Sequence, residues 1–181
     1  MKNTKTTLTW PMLVLVAVVV CIVGCSDGRK VFKSDMGYRL SYDPQFEVID
    51  LEDNDLTLAY KPSEYPDFTP LMMINSNLLD KKQDEKEVFQ KIVTGLEESG
   101  VNDMPQPKVI EAPGADLYHV TWPIEDDGKQ RLSRVYGIYE PTSGLQVRMV
   151  VVVAAKDEAL LDKFTPVAES AELPQKIEFS L

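Results

Sequence analysis

Apolar and polar residues alternate with period two in several short runs of this chain, and two longer stretches repeat with helical spacing. Gly37-Tyr38-Arg39-Leu40-Ser41-Tyr42 is the first alternating run, the pattern of a half-buried strand, and Asp43-Pro44 stops it. Phe46-Glu47-Val48-Ile49 and Leu56-Thr57-Leu58-Ala59-Tyr60 predict two more strands, separated by the acidic run Glu52-Asp53-Asn54-Asp55. Three prolines, Pro62, Pro66 and Pro70, then fall within ten residues. They cannot sit in a central strand, so Lys61 to Pro70 is expected to be a loop carrying Tyr65 and Phe68. Leu71 to Asn75 resumes as a strand without clean alternation.

A capping-box-like start at Asp80 and Gln83, or at Asp84 and Glu87, precedes Val88, Phe89, Ile92, Val93 and Leu96, which share one helix face. Gly100 ends that helix and Gly95 inside it weakens it. Turns are expected around Pro105 and Pro107 and at Ala112-Pro113-Gly114, on either side of a short strand Lys108-Val109-Ile110. Leu117 to Trp122 and Arg131 to Tyr139 flank Glu125-Asp126-Asp127-Gly128, a hairpin loop in which glycine supplies positive φ. After the turn Pro141-Thr142-Ser143-Gly144, the run Leu145 to Ala154 predicts a central strand buried on both faces around Met149 to Val153. Leu160, Leu161, Phe164, Val167, Ala168 and Ala171 mark a closing helix, kinked or restarted at Thr165-Pro166 and closed by Pro174.

The first residues follow a different rule. Lys2 and Lys5 precede an apolar run from Pro11 to Val23, too short to span a bilayer comfortably, and the polar Ser26-Asp27-Gly28-Arg29-Lys30 follows at once. This is the build of a cleaved secretory signal rather than of a single-pass anchor. Its end, Ile22-Val23-Gly24-Cys25, resembles the lipobox of bacterial lipoproteins. The resemblance implies that a diacylglycerol is attached to Cys25, that the chain is cut before it and that its amine can then be acylated, as with palmitate. Two or more acyl chains anchor stably, at roughly 0.8 kcal/mol per buried methylene. Residues 1–24 are then the signal peptide, 25–36 the lipidated cysteine with a tether that ends in a short edge strand around Val31-Phe32, and 37–181 a single domain. Ser26 after the cysteine resembles outer-membrane sorting, which implies a bacterial cell-envelope protein on the outer membrane, facing the periplasm.

Charge narrows the partners. Both lysines of the signal leave with it, so the mature chain carries 17 basic and 29 acidic residues, a net charge of −12. Such a chain has no electrostatic case for nucleic acid and is repelled by anionic headgroups, so its membrane attachment must come from the N-terminal lipid. Cys21 lies in the signal, which leaves the mature domain without a thiol pair.

Several strands, a helix, antiparallel strands joined by tight turns, and a last helix predict an α+β fold, an antiparallel sheet flanked by helices. The order resembles PsbP-like domains and the related DcrB-type bacterial lipoproteins. It is carried by the Gly-aromatic-x-aliphatic-x-Tyr strand before a proline (Gly37 to Pro44), the mid-chain helix, the hairpin, the apolar strand and the closing helix; Phe46 stands where that family commonly has tryptophan. The resemblance implies a PsbP-like α/β/α sandwich acting as a non-catalytic interaction or assembly module with an envelope protein partner.

Candidate chemistry is sparse. His119 is the single histidine and shares a strand face with Leu117 and Thr121. A general base needs a nucleophile and an orienting group beside it, and the sequence specifies neither. The acidic runs 52–55 and 125–127 offer hard oxygen ligands for calcium but lack the spacing of an EF-hand loop, which favours solvated turns. No cofactor or metal motif is present. The alternative function, an envelope enzyme or a small-ligand or calcium binder, would have to use these acids and His119 in a cleft. Tyr65 and Phe68 are the candidate partner contacts, unless their rings fold back and cap the core.

Overall fold

The structure is a computed structural model that describes residues 28–51, 53–65, 67–98, 101, 104–111 and 115–177. The lipobox, Cys25, Gly100 and the turn at residues 112–114 lie outside the described residues.

Eleven elements follow in order: β1 (Lys30–Lys33), β2 (Arg39–Tyr42), β3 (Phe46–Ile49), β4 (Leu56–Tyr60), β5 (Leu71–Leu78), α1 (Glu85–Glu98), β6 (Lys108–Ile110), β7 (Leu117–Asp126), β8 (Lys129–Glu140), β9 (Leu145–Ala154) and α2 (Leu161–Glu169). β3 to β9 form a seven-stranded sheet in the order β3-β4-β5-β9-β8-β7-β6, antiparallel throughout, while β1 and β2 pair as a separate ribbon. The fold is therefore α+β, as the element order predicts. β1 is the edge strand expected near Val31-Phe32. It takes Lys30–Lys33 out of the stretch read as tether, and Phe32 packs its ring 6.0 Å from Tyr38.

One cross-strand row explains the core. Leu58, Met72 and Val151 lie side by side on β4, β5 and β9, and none is exposed at all. This face is covered by Leu161, Phe164, Val167 and Ala168 of α2 and by Leu40 and Tyr42 of β2. α2 is tied to β2 by Ser170, whose Oγ accepts from the Ser41 N–H at 2.8 Å. The next turn is held by reciprocal backbone bonds between Arg39 and Glu172, both 3.0 Å. On the opposite face, Phe89 and Val93 of α1 pack over Tyr118, Val120, Trp122 and Val135. The approach is close enough that a Cβ on Gly137 would stand 2.6 Å from the Phe89 ring, so only glycine fits there.

Four local expectations change. β9 is central, fourth of seven, but it alternates: Met149, Val151 and Val153 are buried while Val150 and Val152 are half-buried. Its β-branched residues fill both faces, yet only one face lies under α2 and β2. β5 alternates too, with Met72 and Ile74 inward. The hairpin strands run on through Asp126 and restart at Lys129, leaving the two-residue turn Asp127-Gly128 at φ +50° and +70°. That pair of positive angles matches the right-handed twist of the flanking strands. Finally, α2 continues through Pro166 to Glu169, and the irregularity lies upstream at Asp157, inside a 3₁₀ segment.

The N-cap of α1 comes from the second of the two expected pairs, with Asp84 Oδ1 accepting the Glu87 N–H at 3.0 Å.

Candidate functional site

The turn that carries the chain from β2 into β3 is built by Asp43. Its carboxylate accepts the Gln45 N–H at 2.8 Å and its carbonyl accepts the Phe46 N–H at 3.0 Å, an Asx-type turn followed by a strand. This brings Phe46 against Tyr60 and Phe164, with ring centroids 5.3 Å and 5.2 Å away and tilted planes. Tilted ring pairs at such separations contribute about 0.5–1.5 kcal/mol each beyond their burial. Between this aromatic group and α2 lies a cleft of about 280 Å³. Phe46, Tyr60, Pro166 and Val167 form its apolar part, and Arg29, Asp43, Gln45 and Lys163 its mixed-charge rim. Tyr60 donates to Gln45 Oε1 at 3.2 Å, which fixes one wall.

The cleft opens beside β3, the edge strand of the sheet. β3 is the first strand of the sheet and pairs with β4 alone among the described residues. The Lys61 N–H donates to the Gln45 carbonyl at 3.1 Å, whereas the Tyr60 N–H turns the other way, to Pro70 at 3.0 Å. Backbone direction alternates along a strand, so Glu47 and Ile49 face β4 and the backbone groups of Val48 face outward. The Val48 side chain is 55 % exposed as well.

Tyr65 and Phe68 do not project. Tyr65 is half-buried against the core with its ring 6.3 Å from Tyr60, and Thr69 Oγ1 donates to the Tyr65 carbonyl at 3.3 Å. Phe68 lies under the Arg131 guanidinium, 4.0 Å from ring centroid to carbon, and Arg131 also pairs with Asp126. Both rings fold back onto the domain.

His119 does share a face with Leu117 and Thr121, and among the described residues no cluster of carboxylates gathers on it. It stands opposite Tyr136 on β8 and opposite Lys108 on β6, with Arg134 one row away. Arg134 is held by Thr121 Oγ1 at 2.8 Å, the Tyr136 hydroxyl at 3.3 Å and Asp162 at 3.2 Å. Burial, then the charges of Arg134 and Lys108, hold the imidazole below its ordinary pKa, with Asp162 opposing them. His119 Nδ1 is buried without a hydrogen-bond partner.

The acidic turn before β4 has internal work. Asp55 accepts from the Tyr38 hydroxyl at 2.9 Å and from Ser76, and Asn54 accepts from Asn75 at 2.9 Å. In the hairpin, Glu125 accepts from Gln130 at 3.0 Å. Among the described residues no group of three or more metal-ligating side chains gathers.

The cleft was not visible in the sequence. Its walls come from residues 29, 41, 43, 45, 46, 60, 162, 163, 166 and 167, and their union depends on α2 crossing back over β2. The one local signal was the turn chemistry of Asp43-Pro44.

No family model matches the chain, and no curated protein does. Solved structures do resemble it. LpqN from Mycobacterium tuberculosis, described as involved in cell envelope biogenesis, superposes with a TM-score of 0.61 at 14 % identity over 76 % of this chain and 84 % of that one. Cyanobacterial PsbP from Synechocystis gives 0.51 at 15 % over 84 % and 95 %. The yeast Ran-binding protein Mog1p gives 0.52 at 17 % over 81 % and 85 %. At these identities the likeness establishes the fold, and the fold is PsbP-like.

Proposed function

We propose that the chain is a lipid-anchored protein of the bacterial cell envelope that acts as a non-catalytic docking or assembly module. The observation that carries this reading is the cleft together with the β3 edge, which has no second partner strand among the described residues, at a short distance along the chain from the lipobox. Arg29, on the cleft rim, follows Cys25 by four residues, a span of at most about 14 Å at 3.6 Å per residue. A lipid on Cys25 holds that surface close to the bilayer, where subunits of membrane complexes are met. Sorting to the outer membrane, facing the periplasm, rests on Ser26. The PsbP-like fold and the likeness to LpqN, itself involved in envelope biogenesis, support the reading. Among the described residues, His119 is flanked by cations, and Asp55 of the first acidic turn and Glu125 of the second are engaged in internal hydrogen bonds, an arrangement that does not favour the enzymatic or calcium-binding alternative.

Metabolic labelling with a fatty acid tests the anchor. Wild type is expected to carry label and Cys25→Ala to carry none and stay uncleaved. Equal label in the two would overturn it.

A further inference from the structure

We infer that the β3 edge and the adjoining cleft form one docking site for an extended segment of another protein in which apolar and cationic side chains alternate. The inference deepens the docking reading above by naming the surface and the chemistry of its partner.

Three observations meet on this edge. The first is backbone: Val48 presents an outward N–H and carbonyl with no partner strand among the described residues, a pair of groups that an added strand can bond, while the outward Phe46 N–H beside it is taken by the Asp43 carbonyl. The second is shape. Phe46 and Val48 lie on the sheet face that α2 covers, so every second side chain of an added strand falls on the side of the cleft, whose apolar part is Phe46, Tyr60, Pro166 and Val167. The remaining side chains fall beside Glu47, on the opposite face. The third is charge. Residues 43 to 55 hold six acids and no lysine or arginine, and Glu47, Asp50 and Asp53 are exposed around the edge. Apolar residues toward the cleft and cations toward Glu47 satisfy all three.

The charge also decides against a second copy of this chain at β3. Two such edges would bring like-charged rows together, which disfavours pairing.

The probe is a synthetic peptide of alternating valine and lysine, set against one of alternating valine and glutamate, with the full chain purified in detergent. Hydrogen exchange read by mass spectrometry should slow several-fold in residues 46–50 with the lysine peptide and stay unchanged with the glutamate peptide. Val48→Pro removes the outward N–H, a place where an edge strand accepts proline, and should abolish the protection at an unchanged melting temperature. Glu47→Lys, on an exposed side chain, should weaken peptide binding about tenfold at low salt and flatten its salt dependence. The inference is overturned by protection in the absence of peptide that grows with protein concentration, which would assign the edge to a second copy. It is equally overturned by no protection, by protection elsewhere, or by a folded Val48→Pro or Glu47→Lys chain that binds as wild type does. Fatty-acid labelling of Cys25 fails or succeeds independently of this result, so loss of the anchor and loss of the docking edge are separable.

Discussion

Gly137 on β8 lies directly beneath the ring of Phe89 on α1, and a single added carbon there would come within 2.6 Å of it. Gly137→Ala must therefore push α1 outward or force the ring off its rotamer. Overpacking of this kind costs about 1–3 kcal/mol. Urea unfolding should show that loss, and the double variant with Phe89→Leu should recover part of it; equal costs in both backgrounds would mean that the contact is not what excludes alanine.

Val151→Asp places a carboxylate at the β9 end of the row Leu58–Met72–Val151, whose members are all fully buried, and across from Arg134 on β8, whose guanidinium is already engaged by Thr121, Tyr136 and Asp162. Burying a carboxylate beside a cation that is already committed still costs several kcal/mol against a total stability of about 5–15 kcal/mol. The variant should fail to accumulate as folded protein. Wild-type yield and melting temperature would remove β9 from the centre of the account.

Ser170 Oγ makes three bonds, accepting from the Ser41 N–H and donating toward the Ser41 and Val167 carbonyls at 3.0 Å and 2.7 Å. Ser170→Ala removes the clasp between α2 and β2 at a cost of about 1 kcal/mol. Exchange of the β2 amides should accelerate by more than the global loss of stability accounts for. If they exchange no faster than that, the Arg39–Glu172 bridge suffices alone.

His119 gives a pH dependence of fixed sign. Its folded pKa is lowered, so on acidification the unfolded chain takes up the proton first. The contribution is fully present above the unfolded value of about 6.5 and is lost as pH falls from there through the folded value. His119→Gln should flatten this part of the profile. As the single histidine, it leaves no other imidazole to produce the slope, and an unchanged slope would show that its surroundings do not disfavour its charge.

Much of the fold was legible because its signals are local. β3 and β4 begin and end where alternation does, and the Asp84 and Glu87 pair marks the start of α1. What local pattern hides is which side of an element is covered. Met149 to Val153 reads as doubly buried because all five residues are apolar, although Val150 and Val152 stay half-exposed. Pro166 sits within α2 with its ring exposed, a position that no run of residues reveals. The docking edge was hidden for a further reason: four residues of alternating pattern look the same at the rim of a sheet as inside it.

Tyr65 and Phe68 follow from the same point. Their rings rest on Tyr60 and under Arg131, so replacing both by alanine should lower the melting temperature measurably before it alters any association. A double variant that melts like wild type yet loses its partners would return the aromatic loop to the centre of the account.

Crosslinking in intact cells tests the docking role most directly. Wild type and Cys25→Ala are treated alike, and the proteins joined to each are identified. A defined envelope protein should be joined to wild type through a segment with alternating cationic and apolar residues and be sharply reduced in Cys25→Ala. An identical set of partners from both forms would contradict an anchored docking module, as would none from either.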